Sequence, residues 1–577
     1  MEFVDGAASR LPQPAPPFHP TVPEMLHYIA EQYGERDAQV RGDQRISFRD
    51  LERRSAEWAR GLLAMGVTKG SRVAILMPNG VDFTLAFMAA ARIGALVAPL
   101  STLYQAPELR WVIGNADIQV LLMADSYLRH DYVERLEQAF PSLQGQTAGD
   151  LVVEDAPYLR RVLVWGGCDR GWAEPGAAAL ADAAATKPKM DDAFLAAIEK
   201  NVVPGDLLAL IHTSGSTAEP KGVIHTHGAL IRHSHQKATR YWGLDGTDRT
   251  ISNRPFFWIA GLAATFFHCL LKGSPLLLPE DQSSAEVLRL IRTEGATGMC
   301  GDANWLRSVQ LDPAVAEAGY VLFRLTTDTC NFARITEDGP VFLNPARAAR
   351  MPNPKQPVED LINRSYGMTE TVSAHTMMPA GQYLTPDKRG TCGKPLEGVV
   401  LKVVDEETRE PVGPGVVGEI LLGGYSLMQG LYKKERQDVF TADGLYPTGD
   451  TGSVDEDGYV TFSHRLGEML KIHGANVAPA EVENTLMMLP HIARAVVVGV
   501  PWDGEIMLVS AVEARAGHAF DEAATREELR ALLSSYKVPR RIFAMAFEEF
   551  PVTGSGKVRK QLLGPMLIEK MRAEAAA

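Results

Sequence analysis

His212-Thr-Ser-Gly-Ser-Thr-Ala-Glu-Pro-Lys-Gly222 is the stretch on which the reading of this chain turns. It follows an apolar run, Leu207 to Ile211, with the character of a buried strand. Glycines let a backbone fold closely around a ligand, hydroxyls and free N–H groups donate to phosphate oxygens, and Lys221 adds a positive charge on a long stem. The pattern is equipment for holding a polyphosphate. It is not a Walker loop, because Pro220 precedes Lys221 and Gly222 follows it. Val223-Ile-His-Thr-His227 reads as a second strand, so the loop joins two strands and must grip phosphate through its own amides and hydroxyls, without a helix dipole. Taken alone, the segment is also compatible with an ordinary Gly/Ser turn.

Working outward, the 577 residues are too many for one core and predict about two to four domains. An apolar fraction of 46% with 22% charged residues is that of a soluble globular protein. A net charge of −13 with no long basic run argues against a nucleic-acid partner, so any phosphate must be held by local positive charge. The five cysteines are scattered, without C-x-x-C or metal spacing, which fits a reducing compartment. Met1 to Pro20 lacks a signal pattern and reads as a loose leader. The most apolar segment, Trp258 to Leu271, is too short to span a bilayer, so no integral membrane segment is expected and the expected location is cytoplasmic. His225, His227, His233 and His235 lack the cysteine or acidic company of a zinc site.

The pattern along the chain alternates strands and helices. Ser47-x-x-Asp50 resembles a capping box opening a helix with Leu51, Trp58 and Leu62 on one face. Arg72 to Met77 reads as a strand, Val81 to Ile93 as an apolar helix, and a further strand is expected near Leu96. This predicts an α/β architecture of stacked sheets and helices. Residues 141–200 are rich in Ala, Gly and charge and read as a peripheral excursion, and Phe323 to Pro357 reads as irregular. Beyond Gly390 short strands appear, including 401–404 and 419–422, while Gly413 to Gly418 is a turn despite its G-x-G-x-x-G spacing. In the last hundred residues Val496 to Val500 and Met507 to Val512 are strand candidates. Thr525-x-x-Glu528 reads as a capping box opening a helix that carries Leu529, Leu532, Leu533 and Tyr536 on one face.

Four further segments strengthen the loop. Ser365-Tyr-Gly-Met-Thr-Glu370 offers a ring for stacking on a purine, a threonine for phosphate and a carboxylate for a hard cation such as Mg²⁺. Tyr446-Pro-Thr-Gly-Asp450 places a carboxylate after a tight turn, where it can accept both hydroxyls of a ribose. His464 to Glu483 includes Arg465, Lys471 and Gly474, and Pro551 to Lys560 presents Lys557 on a Gly/Ser loop. In this order the chain resembles the adenylate-forming superfamily of acyl-CoA synthetases, adenylation domains and beetle luciferases, from about residue 25 to 565.

That resemblance implies a large multi-subdomain N-terminal domain over 25–466 and a small mobile α+β C-terminal domain over 467–577, after a leader at 1–24 and with a hinge near Gly467. It implies a reaction in which a carboxylate attacks the α-phosphate of MgATP, giving an acyl-adenylate and pyrophosphate, before the thiol of coenzyme A displaces AMP. The expected small molecules are therefore ATP, Mg²⁺, coenzyme A and a carboxylic acid; a homodimer is compatible. By the same resemblance Thr213, Ser214, Gly215, Ser216, Thr217 and Lys221 hold the β/γ-phosphates, and Glu370 holds Mg²⁺. Tyr366, with Gly367 and Met368 beside it, stacks on adenine; Thr369 touches the α-phosphate; Asp450 and Arg465 bind the ribose. Thr217, Glu370 and Lys557 are the expected catalytic groups, Lys557 bridging the two anions of the first step. Lys471 and Gly474 belong to the segment that would face coenzyme A.

The family's glycine-rich adenine segment has no clear match, Thr326 to Cys330 standing in its place. Trp258 replaces a frequent family histidine and is a candidate wall of the acyl pocket, with Leu262, Met299 and Trp305 adding apolar surface and Gly261, Cys300 and Gly301 leaving room. No aspartate follows the Pro255-Phe-Phe motif to pair an ammonium group, so a hydrophobic acid is expected rather than an amino acid. Fatty, aryl and steroid-like acids all remain open. The alternatives are a ligase serving a carrier-protein thiol and a non-catalytic nucleotide-binding member.

Overall fold

Strand Leu207–Thr213 is the last parallel strand of an eight-stranded sheet, and Lys221–Thr226 returns beside it antiparallel, so the phosphate-type loop does join two strands. The computed structural model describes residues 14–213, 220–326, 329–337, 339–348, 365–382, 384–466, 470–472, 475–477, 479–502, 505–533, 537–552 and 557–576. Ser214, Gly215, Ser216, Thr217, Gly467 and Gly474, and most of the leader, lie outside the described residues.

The chain divides into two compact units. In the first (1–384, 395–400 and 423–446), one sheet runs in the order 430–431, 221–226, 207–213, 96–99, 72–76, 120–124, 161–165, 174–175. A second eight-stranded sheet runs 320–326, 329–336, 298–300, 250–252, 276–277, 37–41, 44–47, with 339–342 beside 329–336. Helices Val22–Tyr33, Phe48–Ala64 and Val81–Arg92 are packed between the two, because one core joins Val73, Ile75, Val97 and Ile211 of the first sheet to Ala38, Leu276 and Leu278 of the second. The outer faces are covered separately by Ala106–Asn115 with Tyr132–Ala139, and by Ser284–Glu294 with Ala303–Leu311. The stacked α/β architecture read from the sequence is present, and Ser47 caps its helix by accepting from the Asp50 N–H at 3.0 Å.

Two sequence expectations are corrected here. Residues 141–200 are no peripheral excursion: Arg161–Trp165 pairs in register with 120–124, and Leu180 and Leu195 enter the central core. Glu199 is bonded to the fully buried Arg92 guanidinium, which also reaches Glu52, so a buried charge network ties the segment to two central helices. The stretch expected to be irregular from Phe323 is regular where described: strands 320–326, 329–336 and 339–342 form an antiparallel meander that extends the second sheet, while 349–357 lie outside the described residues. Tyr320 and Leu322, two residues apart, turn into the core of that sheet; proline and arginine farther on obscured the strand in the sequence.

The second unit (385–394, 401–422 and 447–577) holds most of an antiparallel sheet of 399–404, 418–424, 446–454 and 460–465. It continues with hairpin 470–472/475–477 and a three-stranded sheet of 492–502, 505–514 and 541–544, packed by Pro479–Met488, Glu522–Leu532 and Lys560–Ala576. Its helix 522–532 starts before the predicted Thr525 cap. Asp521 accepts from the Ala524 N–H at 2.9 Å, while the buried Thr525 hydroxyl donates to the Asp521 carbonyl at 2.7 Å.

Candidate functional site

In the first unit, Thr213 and Lys221 are cross-strand partners that close the base of the loop, and the Lys221 side chain is exposed. Gly222 has a packing reason: a Cβ there would stand 2.9 Å from Leu210 and 3.1 Å from Tyr432, whose N–H donates to the Gly222 carbonyl at 2.8 Å. Farther along the same strand, His225 leaves the sheet and its Nε2–H donates to the Thr369 carbonyl at 2.7 Å. That bond fixes the tautomer, and burial holds His225 at a pKa of about 4, so the ring is neutral. The loop's return strand is thus tied to the Thr369–Glu370 turn.

That turn is anchored from several sides. Tyr366–Gly367 pairs antiparallel with Ala374–Met377, and Gly367 is obligatory because a Cβ would stand 2.3 Å from the Ala374 Cα. Met368 leads into the short 3-10 turn Thr369–Thr371. The Met428 N–H donates to the Glu370 carbonyl at 2.8 Å, and the Tyr446 hydroxyl lies 3.4 Å from Glu370 Oε1. Val372 then adopts φ +68, a left-handed backbone that a β-branched residue rarely accepts. The Tyr366 ring is buried and meets His375 edge-on at 4.6 Å.

A single half-buried carboxylate suits Mg²⁺, which keeps several waters and takes substrate phosphate oxygens rather than a full protein cage. No group of three His, Cys, Asp or Glu residues arranged for a metal occurs among the described residues. The four histidines of 225–235 go separate ways: His225 to Thr369, His227 accepting from the Val22 N–H at 3.2 Å, and His233 to Ser373 at 3.1 Å, with His235 partly buried nearby.

Around the expected acyl pocket the residues divide. Trp258 is half-buried, caps the helix that starts at Ile259 and meets Phe257 edge-on. Leu262, Met299 and Trp305 are core residues, and the Trp305 indole N–H donates to the Gln282 carbonyl. Gly261 does not leave room: a Cβ would stand 2.0 Å from the Pro255 carbonyl oxygen, so this glycine serves close backbone packing. Gly301 is similar, with the Trp305 ring 2.5 Å from where a Cβ would be. Cys300 is buried in strand 298–300 with its thiol 3.6 Å from the Thr265 hydroxyl.

In the second unit, Asp450 and Arg465 face each other across adjacent strands, Arg465 Nε 3.8 Å from Asp450 Oδ1. The Thr448 hydroxyl holds the turn by accepting from the Asp450 N–H and donating to the Ile420 carbonyl. Lys557 is exposed on a loop closed at its base by the Val552–Val558 bridge and by Arg559 N–H to Pro551 carbonyl at 2.7 Å. The Lys471 backbone pairs with Asn476 in the hairpin 470–477. Sequence reasoning missed His225 as a tether and Tyr446 as a neighbour of Glu370. Both lay inside quoted motifs, but no local pattern announces a contact 144 or 76 residues away.

Comparison with known proteins adds the rest. Residues 26–432 match the model of the AMP-binding enzyme family, and 481–557 match the AMP-binding enzyme C-terminal domain. The chain is 26% identical over 565 residues to the putative acyl-CoA synthetase YngI of Bacillus subtilis, covering 96% of this chain and 98% of that one. It is 29% identical to the 3-[(3aS,4S,7aS)-7a-methyl-1,5-dioxo-octahydro-1H-inden-4-yl]propanoyl:CoA ligase of Mycobacterium tuberculosis, covering 94% and 98%. Among solved structures, ATP-bound MatB from Rhodopseudomonas palustris superposes with a TM-score of 0.69 at 22% identity, covering 94% and 98%, a likeness of fold. No helix among the described residues is long and apolar enough to cross a membrane.

Proposed function

Because the chain belongs to the AMP-binding enzyme family, we propose that it is an acyl-CoA synthetase acting on a hydrophobic carboxylic acid. It activates the acid with MgATP to an acyl-adenylate, releasing pyrophosphate, and passes the acyl group to coenzyme A, releasing AMP. The observation that carries this reading is the His225–Thr369 bond, which fixes the return strand of the phosphate-type loop against the turn bearing Glu370. A carboxylate is a poor acyl donor because its leaving group would be oxide, and linkage to AMP cures this. The chemistry then needs mostly positioning and charge neutralisation.

Thr213 and the loop it opens, together with Lys221, cradle the terminal phosphates, and Tyr366 lies against adenine. Thr369 donates to the α-phosphate, while Asp450 accepts from the ribose hydroxyls and Arg465 orients it. Mg²⁺, when bound at Glu370, supplies neutralisation of phosphate charge. Lys557 cancels the repulsion between carboxylate and α-phosphate. It belongs to a small C-terminal domain (467–577) that hinges near Gly467, so that the 471–478 segment faces the incoming thiol. Trp258 stands at the acyl pocket; the absence of a carboxylate in the Ile259–Gly261 stretch disfavours an ammonium-bearing acid.

The test is incubation with ATP, Mg²⁺ and a panel of carboxylic acids, following AMP with and without coenzyme A. Coenzyme-A-dependent AMP release is expected. Pyrophosphate exchange without thioester would instead indicate delivery to another thiol. Neither product with any acid would overturn the enzymatic reading.

A further inference from the structure

In the first unit, the strand that carries Lys221 and Gly222 is bordered by a very short neighbour. Residues 430–431 form the outermost strand of the first sheet, pairing Leu431 with Val223 and Gly430 with Ile224. The backbone on either side of that pair adds a row of contacts. The Met428 N–H donates to the Glu370 carbonyl, Gln429 N–H to the Ile224 carbonyl and Tyr432 N–H to the Gly222 carbonyl, each at 2.8 Å. The 428–432 segment is therefore a bracket. It grips the Glu370 turn at one end and the exit of the phosphate-type loop at the other.

An edge strand with so few ladder bonds opens easily unless something else fastens it. Here the fastening is Asp117. The Tyr432 hydroxyl donates to Asp117 Oδ2 at 2.9 Å and the Lys433 ammonium donates to Asp117 Oδ1 at 2.8 Å, so one carboxylate takes both. Asp117 lies between helix Ala106–Asn115 and strand Val120–Ala124, 315 residues before Tyr432. It is itself well anchored: its carbonyl accepts from Arg72 Nε at 2.8 Å, and Ala116 and Ile118 on either side are fully buried. Both ends of the tie have left-handed backbone, Asp117 at φ +51 and Lys433 at φ +58. Aspartate tolerates that region; a lysine rarely adopts it, and such strain persists only where the surroundings over-determine the chain. Burial first, and then the Asp117 carboxylate, push the Tyr432 phenol up to about 12, so it remains a donor near neutral pH.

We propose that Asp117 is a positioning residue for the triphosphate: by holding Tyr432 it keeps the bracket closed, and so fixes the loop's exit at Gly222 against the turn bearing Glu370. This rests on the synthetase reading, which puts the β/γ-phosphates at that loop and Mg²⁺ at Glu370. Loop and carboxylate must keep a fixed separation if one triphosphate is to reach both. AMP, lacking the β- and γ-phosphates, makes no such demand. Asp117 acts through the backbone of 428–432 and not on the nucleotide itself.

Calorimetric titration of the full chain with MgATP and, separately, with AMP tests this. Tyr432→Phe keeps the ring and the N–H bond to Gly222 but loses the tie. Asp117→Gly accepts the left-handed backbone and removes the carboxylate. Each should weaken MgATP binding by about fivefold or more, while AMP binding changes by less than about twofold. Removing a negative charge would by itself favour a triphosphate, so weakening in Asp117→Gly has the sign of a lost tether and not of a lost charge. The double variant should bind MgATP no worse than Asp117→Gly alone, because Tyr432→Phe then breaks a bond already gone. MgATP affinity unchanged in Tyr432→Phe overturns the positioning role. So do additive losses in the double variant, and so does an equal loss for MgATP and AMP, which marks general loosening of the fold. Wild-type protein that binds neither nucleotide overturns the synthetase reading and the inference with it. Should Asp117→Gly not fold, Tyr432→Phe decides.

Discussion

The two units hold their candidate residues in opposite ways. In the first, the turn bearing Glu370 is fixed by His225 from the sheet, by Met428 and Tyr446 from a later segment, and by the Tyr366–Thr376 pairing. In the second, Lys557 stands exposed on a loop fastened at its base by the Val552–Val558 bridge. One candidate carboxylate is tied into packed structure; the candidate lysine is exposed. Groups that position phosphate benefit from preorganisation, because a fixed dipole costs no reorganisation during reaction. On the proposed reading, Lys557 is a cation needed in only one of two half-reactions and benefits from being removable.

The largest expected effect breaks the comparison by acid. The first unit buries His212 and His225 with pKa values of about 4, and His227 and His375 at about 3, each lowered by burial from 6.5. These rings are neutral when folded and bind protons more readily when unfolded. Their contribution is intact above pH 6.5 and is lost progressively as pH falls from 6.5 towards 4 and 3. Each ring forfeits about 1.4 kcal/mol for every pH unit crossed in that interval. The first unit should therefore unfold within that window. Tryptophan fluorescence monitors it, since seven of the eight tryptophans lie in that unit. A denaturation midpoint unchanged between pH 7 and 4 would contradict the account.

Next in size, Glu370→Gln should slow adenylate formation by about 10³-fold, measured by pyrophosphate exchange, with partial recovery at raised Mg²⁺. Lys557→Ala should slow the same step by about 10²-fold, yet leave thioester formation from supplied acyl-adenylate largely intact. Equal losses in both half-reactions would remove the distinction between a built group and a presented one. The smallest effect concerns the second unit alone: Asp521→Ala should cost about 1 kcal/mol through loss of the helix cap, read from chemical denaturation. If it costs nothing, the helix is capped otherwise.

Much of this was legible in the sequence. The strand–loop–strand at 207–226 was readable because Pro220 and Gly222 flank Lys221 where a Walker loop would have Gly and Ser or Thr, and because Leu207–Ile211 and Val223–His227 both have strand character. The Asp450–Arg465 pair was named from motif order, and the strands place the two residues opposite each other. Strand 161–165 went unread because its five residues are embedded in an Ala- and Gly-rich window that dilutes their signal. The cap was misplaced at Thr525 because Thr-x-x-Glu fits the box pattern, whereas the structure buries the Thr525 side chain inside a helix capped by Asp521. The space-making role expected of Gly261 failed for a similar reason: sequence cannot distinguish a glycine that opens a cavity from one that lets two backbones touch.

Val372 shows how firmly the Glu370 turn is locked. Its left-handed backbone costs about 1–3 kcal/mol, a strain that glycine would relieve, but its side chain is fully buried in the central core. Removing that side chain forfeits about 1.5–3 kcal/mol of apolar burial and leaves a void besides. The two penalties oppose each other and are of similar size, so neither substitution nor relaxation offers the turn a downhill route. Its shape is held by a torsion and a methyl pair in deadlock.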